Sequence, residues 1–68
     1  MMAKTYQVVE LIGVSEEGVE EAIHHAIAQA AALHGQLDWY EVLETRGLFE
    51  NNKHKSYQVH LKVGCNTH

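Results

Sequence analysis

The chain has 68 residues, 46% of them apolar, with five Gly, no Pro and a single Cys. That length allows one domain, residues 1–68, and one Cys closes no internal disulfide. Five Lys and Arg against nine Asp and Glu leave a formal charge of −4, which argues against nucleic-acid and anionic-membrane partners, and no apolar run reaches the ~18 residues of a membrane span.

From about Thr5 to Val14 the chain carries Tyr6, Val8, Val9, Leu11, Ile12 and Val14, a β-rich stretch that predicts a strand. Met1 to Thr5 leads straight into it, so no signal peptide is expected, and with a free thiol the protein is expected to be cytoplasmic. Ser15 is then a helix N-cap, with Glu16 and Glu17 in the first turn where the helix dipole favours negative charge. Val19, Ile23, Ile27 and Ala30/Ala31 recur at helical spacing, with Ala22, Ala26 and Leu33 beside them and Glu20, Glu21, His24, His25 and Gln29 on the other side. Gly35 ends the run as a C′ residue. About nineteen helical residues would span roughly 28 Å.

Leu37 to Glu50, with Trp39, Tyr40, Val42, Leu43, Thr45, Leu48 and Phe49, predicts a second strand. Asn51-Asn52-Lys53 is turn chemistry, and the basic cluster Lys53-His54-Lys55 is placed with that turn. Tyr57, Val59, Leu61 and Val63 alternate with Ser56, Gln58, His60 and Lys62 as a half-buried strand. The expected fold is therefore α+β in the order β-α-β-β, closing with a hairpin. A strand of this length runs roughly 46 Å, beyond the reach of the helix. The overhang, around Trp39 or around Leu48-Phe49, needs cover from another chain. A domain this small without disulfides commonly gains its stability by association. Self-association is the economical expectation.

Six histidines invite a metal reading. His24 and His25 are adjacent on a helix and diverge by about 100°, His54 and His60 are six apart on one strand face, and Cys65 has no CxxC partner. Within one chain solvated surface histidines are expected, and only an intersubunit site stays open. Ser15, Ser56 and Cys65 lack the surroundings of a nucleophile. Glu41 and Glu44, three apart in a strand, are expected on opposite faces. Neither a GxGxxG nor a Walker loop is present. No enzyme is expected.

Trp39, after Asp38 at the start of the long strand, is either packed core or an exposed aromatic plane. Gln58 lies opposite Tyr57, Val59 and Leu61, and Arg46 stands beside Gly47, a residue small enough to let another group approach. Together they describe a site for a flat, polar-edged, anionic ligand. The plainer reading is a packed Trp39, a solvent-facing Gln58 and an Arg46–Glu44 surface pair.

At these residues the sequence resembles the bacterial dodecins. Asp38-Trp39-Tyr40-Glu41-Val42-Leu43-Glu44-Thr45-Arg46-Gly47 and Tyr57-Gln58-Val59-His60-Leu61-Lys62-Val63-Gly64 carry the likeness, as do Tyr6 and Val9 to Gly18, so that it spans about Lys4 to Gly64. It implies a βαββ subunit whose three-stranded antiparallel sheet wraps one helix and assembles into a hollow homododecamer. It further implies a flavin, FMN first with riboflavin or FAD possible, stacked between tryptophans of neighbouring subunits for storage, sequestration and photoprotection. By position Trp39 would stack, Gln58 would bond the ring's polar edge, Arg46 would face its polar or phosphate part and Asp38 its ribityl hydroxyls. Some bacterial relatives also bind coenzyme A through basic residues on the helix and near the C-terminus. Here the helix offers His24, His25 and His34 and the tail is Cys65-Asn66-Thr67-His68, which speaks against coenzyme A, Lys4 and Tyr6 being the remaining candidates for it. A ligand-free structural homo-oligomer and an intersubunit metal-binding protein are the alternatives.

Overall fold

The computed structural model describes residues 5–66; Lys4, Thr67 and His68 lie outside them. Strand β1 (Tyr6–Ser15) leads to helix α1 (Val19–His34), then to β2 (Leu37–Glu50) and β3 (Lys53–Asn66). The strands form one antiparallel sheet in the order β1-β3-β2, so the last strand is central and pairs with both others. This is the expected β-α-β-β subunit of the α+β class. Among the described residues no helix is long and apolar enough to cross a membrane.

The helix lies on one face of the sheet, over Val59, Leu61, Val63 and Cys65 of β3, all buried. The residues it buries are Ala22, Ala26 and Ala30, four apart, while Ile23 and Ile27 are half-buried on its flank and Leu33 is 64% exposed. Small side chains let the helix sit close to the sheet, which moves the larger apolar residues to the margins of the contact. Gly13 on β1 marks that closeness. A Cβ there would overlap the backbone carbonyl of Ala22 and stand 3.0 Å from the Ala26 Cβ.

Ser15 does not cap the helix. Its pairing with Tyr57 keeps it in the β1–β3 ladder, buried, and its Oγ accepts from the Glu17 N–H at 3.0 Å. Helix α1 starts three residues beyond the turn's first acid, after an extended Gly18, and its first-turn acids are Glu20 and Glu21 in place of Glu16 and Glu17. At 16 residues it spans about 24 Å. Gly35, at φ 80°, ends it and donates to the Ala31 carbonyl at 2.9 Å.

Asn51 and Asn52 alone make the hairpin turn, at φ 54° and 62°. This two-residue geometry with both central residues left-handed matches the right-handed twist of paired strands. Lys53, His54 and Lys55 therefore belong to β3 rather than to the turn. The register of β2 on β3 shifts three times, leaving Asp38, Leu43 and Lys55 without a Cα partner. Such bulges add twist and bend the strand, and here they also change which residues share a face. Glu41 and Glu44 pair with Lys62 and His60, so both lie on the face away from the helix, contrary to simple alternation. The shift at Lys55 likewise places His54 opposite Phe49, on the other face from His60.

Candidate functional site

The sheet face away from the helix carries, by register, Tyr6, Val8, Glu10, Ile12 and Val14 of β1, Gln58, His60, Lys62 and Gly64 of β3, and Trp39, Glu41, Glu44, Arg46 and Leu48 of β2. Trp39 and Arg46, seven apart, share this face only because the Leu43 bulge resets the alternation.

Trp39 faces Gly64 across the ladder, and the indole rests on that glycine. A Cβ at Gly64 would overlap Cε2 and Cζ2 of the ring and come within 2.5 Å of Nε1. Tyr6 braces the indole from the side, edge to face, with ring centroids 6.1 Å apart. The tryptophan is nonetheless 39% exposed, so it is neither core nor free. A cleft of about 150 Å³ opens next to it, lined by Ile27, Leu37, Asp38, Trp39, Tyr40 and Val63. Asp38 Oδ2 accepts from Asn66 Nδ2 at 3.5 Å, which joins the start of β2 to the end of β3.

Arg46 and Gln58 are cross-strand partners. Arg46 Nη2 donates to Glu44 Oε1 at 2.5 Å, the surface pair that the plainer reading of the sequence anticipates. Gln58 is half-buried, and its side-chain amide has no hydrogen bond among the described residues. Its donor and acceptor are thus left for a group from outside. Gly47, beside Arg46, does receive an approaching group: the ring of His54, 3.5 Å from where its Cβ would be.

Asp38, Trp39, Arg46 and Gln58 fall into two separated pairs. Gly64, under Trp39, and Gln58, opposite Arg46, are six residues apart along β3, about 20 Å. Asp38 and Trp39 therefore stand at one end of the face and Arg46 and Gln58 toward the other. A larger hollow, about 400 Å³, lies elsewhere, between Glu16 and the hairpin end at Glu50, Asn51 and Lys53 to Lys55. Charged side chains wall it, Lys55 and Glu50 pairing at 3.2 Å, and it offers a planar apolar ring little to stack on.

Gly64 and Tyr6 hold the Trp39 indole in place, a role that composition does not reveal. Gly64 had a readable sign: it stands where the alternation of Ser56, Gln58, His60 and Lys62 would put another polar side chain, and glycine inside a strand marks a close approach. The contact of Tyr6 with Trp39 had none, since the two residues lie 33 apart in sequence on strands that meet only through their common pairing with β3.

A family model described as Dodecin matches residues 5–68. A curated dodecin of Thermus thermophilus is 51% identical over 63 residues, covering 93% of this chain and 91% of that protein. Among solved structures, a dodecin from Streptomyces davaonensis superposes with a TM-score of 0.92 at 37% identity, covering 98% of each chain. The tt0972 protein of Thermus thermophilus does so with a TM-score of 0.90 at 47% identity, covering 97% of each. Family match, sequence identity and fold agree along nearly the whole length, and the chain belongs to the dodecin family.

Proposed function

We propose that this protein binds a flavin, FMN first, at sites shared between subunits of a homododecamer, and that it stores and shields the ligand without catalysing a reaction on it. The observation that carries this reading is the split site. A half-exposed indole seated on Gly64 and an unpartnered Gln58 amide beside Arg46 lie about 20 Å apart on one sheet face. One protomer offers a plane or a polar edge at a given point, and a second copy is the economical source of the other surface.

A bound flavin would supply a flat, electron-poor ring that absorbs visible light. Trp39 offers an electron-rich plane, and offset stacking adds about 0.5–1.5 kcal/mol beyond the area buried. Gln58 offers both a donor and an acceptor to a ring edge that alternates the two, an edge that would cost about 1–3 kcal/mol per group if buried unpaired. Arg46 suits a phosphate through charge-assisted bonds, and the Asp38 carboxylate can accept from ribityl hydroxyls. An indole in van der Waals contact gives an excited ring a fast route for electron transfer, which quenches it before photochemistry. A ring closed between tryptophans admits no substrate, which favours storage over turnover.

The test is a titration of the purified protein with FMN, followed by flavin fluorescence and absorbance, with riboflavin and FAD compared. Strong quenching in the native protein, lost in Trp39→Ala together with about tenfold or more of the affinity, is the expected result. Unquenched flavin over an assembled, folded protein would favour the ligand-free oligomer instead. Metal found by elemental analysis and removed by a chelator would favour the metal reading.

A further inference from the structure

A chain of charged groups crosses the open sheet face beside Gln58. His60 on β3 sets Nε2 2.7 Å from Glu10 Oε1 on β1 and Nδ1 3.8 Å from Glu44 Oε1 on β2. The same Glu44 oxygen accepts from Arg46. Carboxylates accept and do not donate, so an imidazole with one at each nitrogen meets both only as the imidazolium. Neutral His60, donating through Nε2 to Glu10, turns a lone pair toward Glu44 and leaves that carboxylate to Arg46. Protonated His60 points an N–H at Glu44 and competes with Arg46 for it.

Resting on the flavin reading above, we propose that His60 is a positioning residue that governs how tightly Glu44 holds Arg46, so that protonating it raises the preference for a phosphorylated over an unphosphorylated flavin. Histidine is the residue type that ordinarily changes charge between about pH 5 and 8. The charged groups facing the imidazole are Glu10 from β1 and Glu44 from β2, with Arg46 beyond Glu44. Lys62 flanks it on its own strand, itself opposite Glu10 and Glu41. The helix packs on the other face. The sign follows: as pH falls, His60 draws on Glu44, Arg46 is released toward a phosphate, and FMN gains where riboflavin, which ends in a hydroxyl, does not. The FMN phosphate itself loses charge near pH 6, an opposing effect that is the same in every variant.

The experiment titrates the assembled protein and His60→Gln with FMN and with riboflavin at pH 8 and pH 6. The FMN-to-riboflavin affinity ratio at pH 6, relative to pH 8, should be about two- to fivefold higher in the native protein than in His60→Gln, as expected of one partly exposed ion pair. Glu44→Gln, which removes the shared carboxylate, should erase the difference likewise. Equal ratios in all three proteins would overturn the role of His60 while leaving flavin binding intact. Binding of neither flavin would overturn the flavin reading and this inference together. Nitrogen chemical shifts of His60 at pH 8 give a readout without any ligand: the Nε2–H tautomer is expected, and the Nδ1–H tautomer would overturn the switch.

Discussion

Trp39 owes its place to what it stands on. An indole beside a strand residue with a Cβ would be lifted off the sheet, and Gly64 removes that obstacle while Tyr6 limits rotation. Gly64→Ala should therefore reproduce much of the loss caused by removing the tryptophan while keeping the aromatic group. The added methyl overlaps the fused six-membered ring, which is rigid, so the whole indole must move. The expected outcome is FMN binding weakened about tenfold, the stacking contribution at its upper end, with a shifted tryptophan emission and an unchanged far-ultraviolet dichroism spectrum. If quenching by Gly64→Ala equals that of the native protein, the seat under the indole does not matter to binding.

The hairpin shows where local chemistry decides and where it does not. Beyond Gly47 and Tyr57, β2 and β3 continue as a two-stranded ribbon past the last pairing of β1, held by their ladder and by Asn51-Asn52. Both asparagines have positive φ, a conformation that costs most L-residues about 1–2 kcal/mol and Asn less. Asn52→Val should accordingly raise amide exchange across Phe49–Ser56 by about tenfold while the amides of Val59–Val63 stay protected, and Asn52→Gly should slow it. Uniform exchange across both variants would mean that the ladder alone fixes the ribbon. The turn and the bounds of β2 were legible because Gly35, the asparagines and a dense run of β-branched and aromatic residues act locally. The start of α1 was not, since Ser15 suits a cap as well as a strand end and only its pairing with Tyr57 decides. The bulges at Leu43 and Lys55 carry no glycine or other sign, so the faces of Glu44, Arg46 and His54 were beyond simple alternation. Trp39, Arg46 and Gln58 could be singled out by residue type and family pattern. The Glu10–His60 contact could not, because its partners are 50 residues apart and meet only through the completed sheet.

The protomer is long and thin, 57 × 20 × 13 Å, with a radius of gyration of 14.3 Å, where a compact domain of this length has about 11 Å. The excess is the ribbon, whose Phe49 is 77% exposed, and the face opposite the helix leaves Val8, Ile12 and Val14 about half in solvent. Against that, the largest fully buried side chains are only Leu61, Val59 and Val63, and three of the other core residues are alanines. So small a core offsets little of the conformational entropy of folding, and the exposed apolar surface is where the missing stabilisation has to come from. If copies of the chain supply it, folding and assembly are one equilibrium, and stability depends on protein concentration by mass action. For the proposed dodecamer of a 7.7 kDa chain, about 92 kDa, a hundredfold rise in concentration should add about 2.5 kcal/mol per chain. In reversible urea unfolding that is a midpoint shift on the order of 1 M, with sedimentation giving the assembled mass wherever the protein is folded. A midpoint that does not move between micromolar and hundred-micromolar protein, alongside a folded 7.7 kDa species, would show that the single chain stabilises itself. The split between Trp39 and Gln58 would then need a partner of another kind.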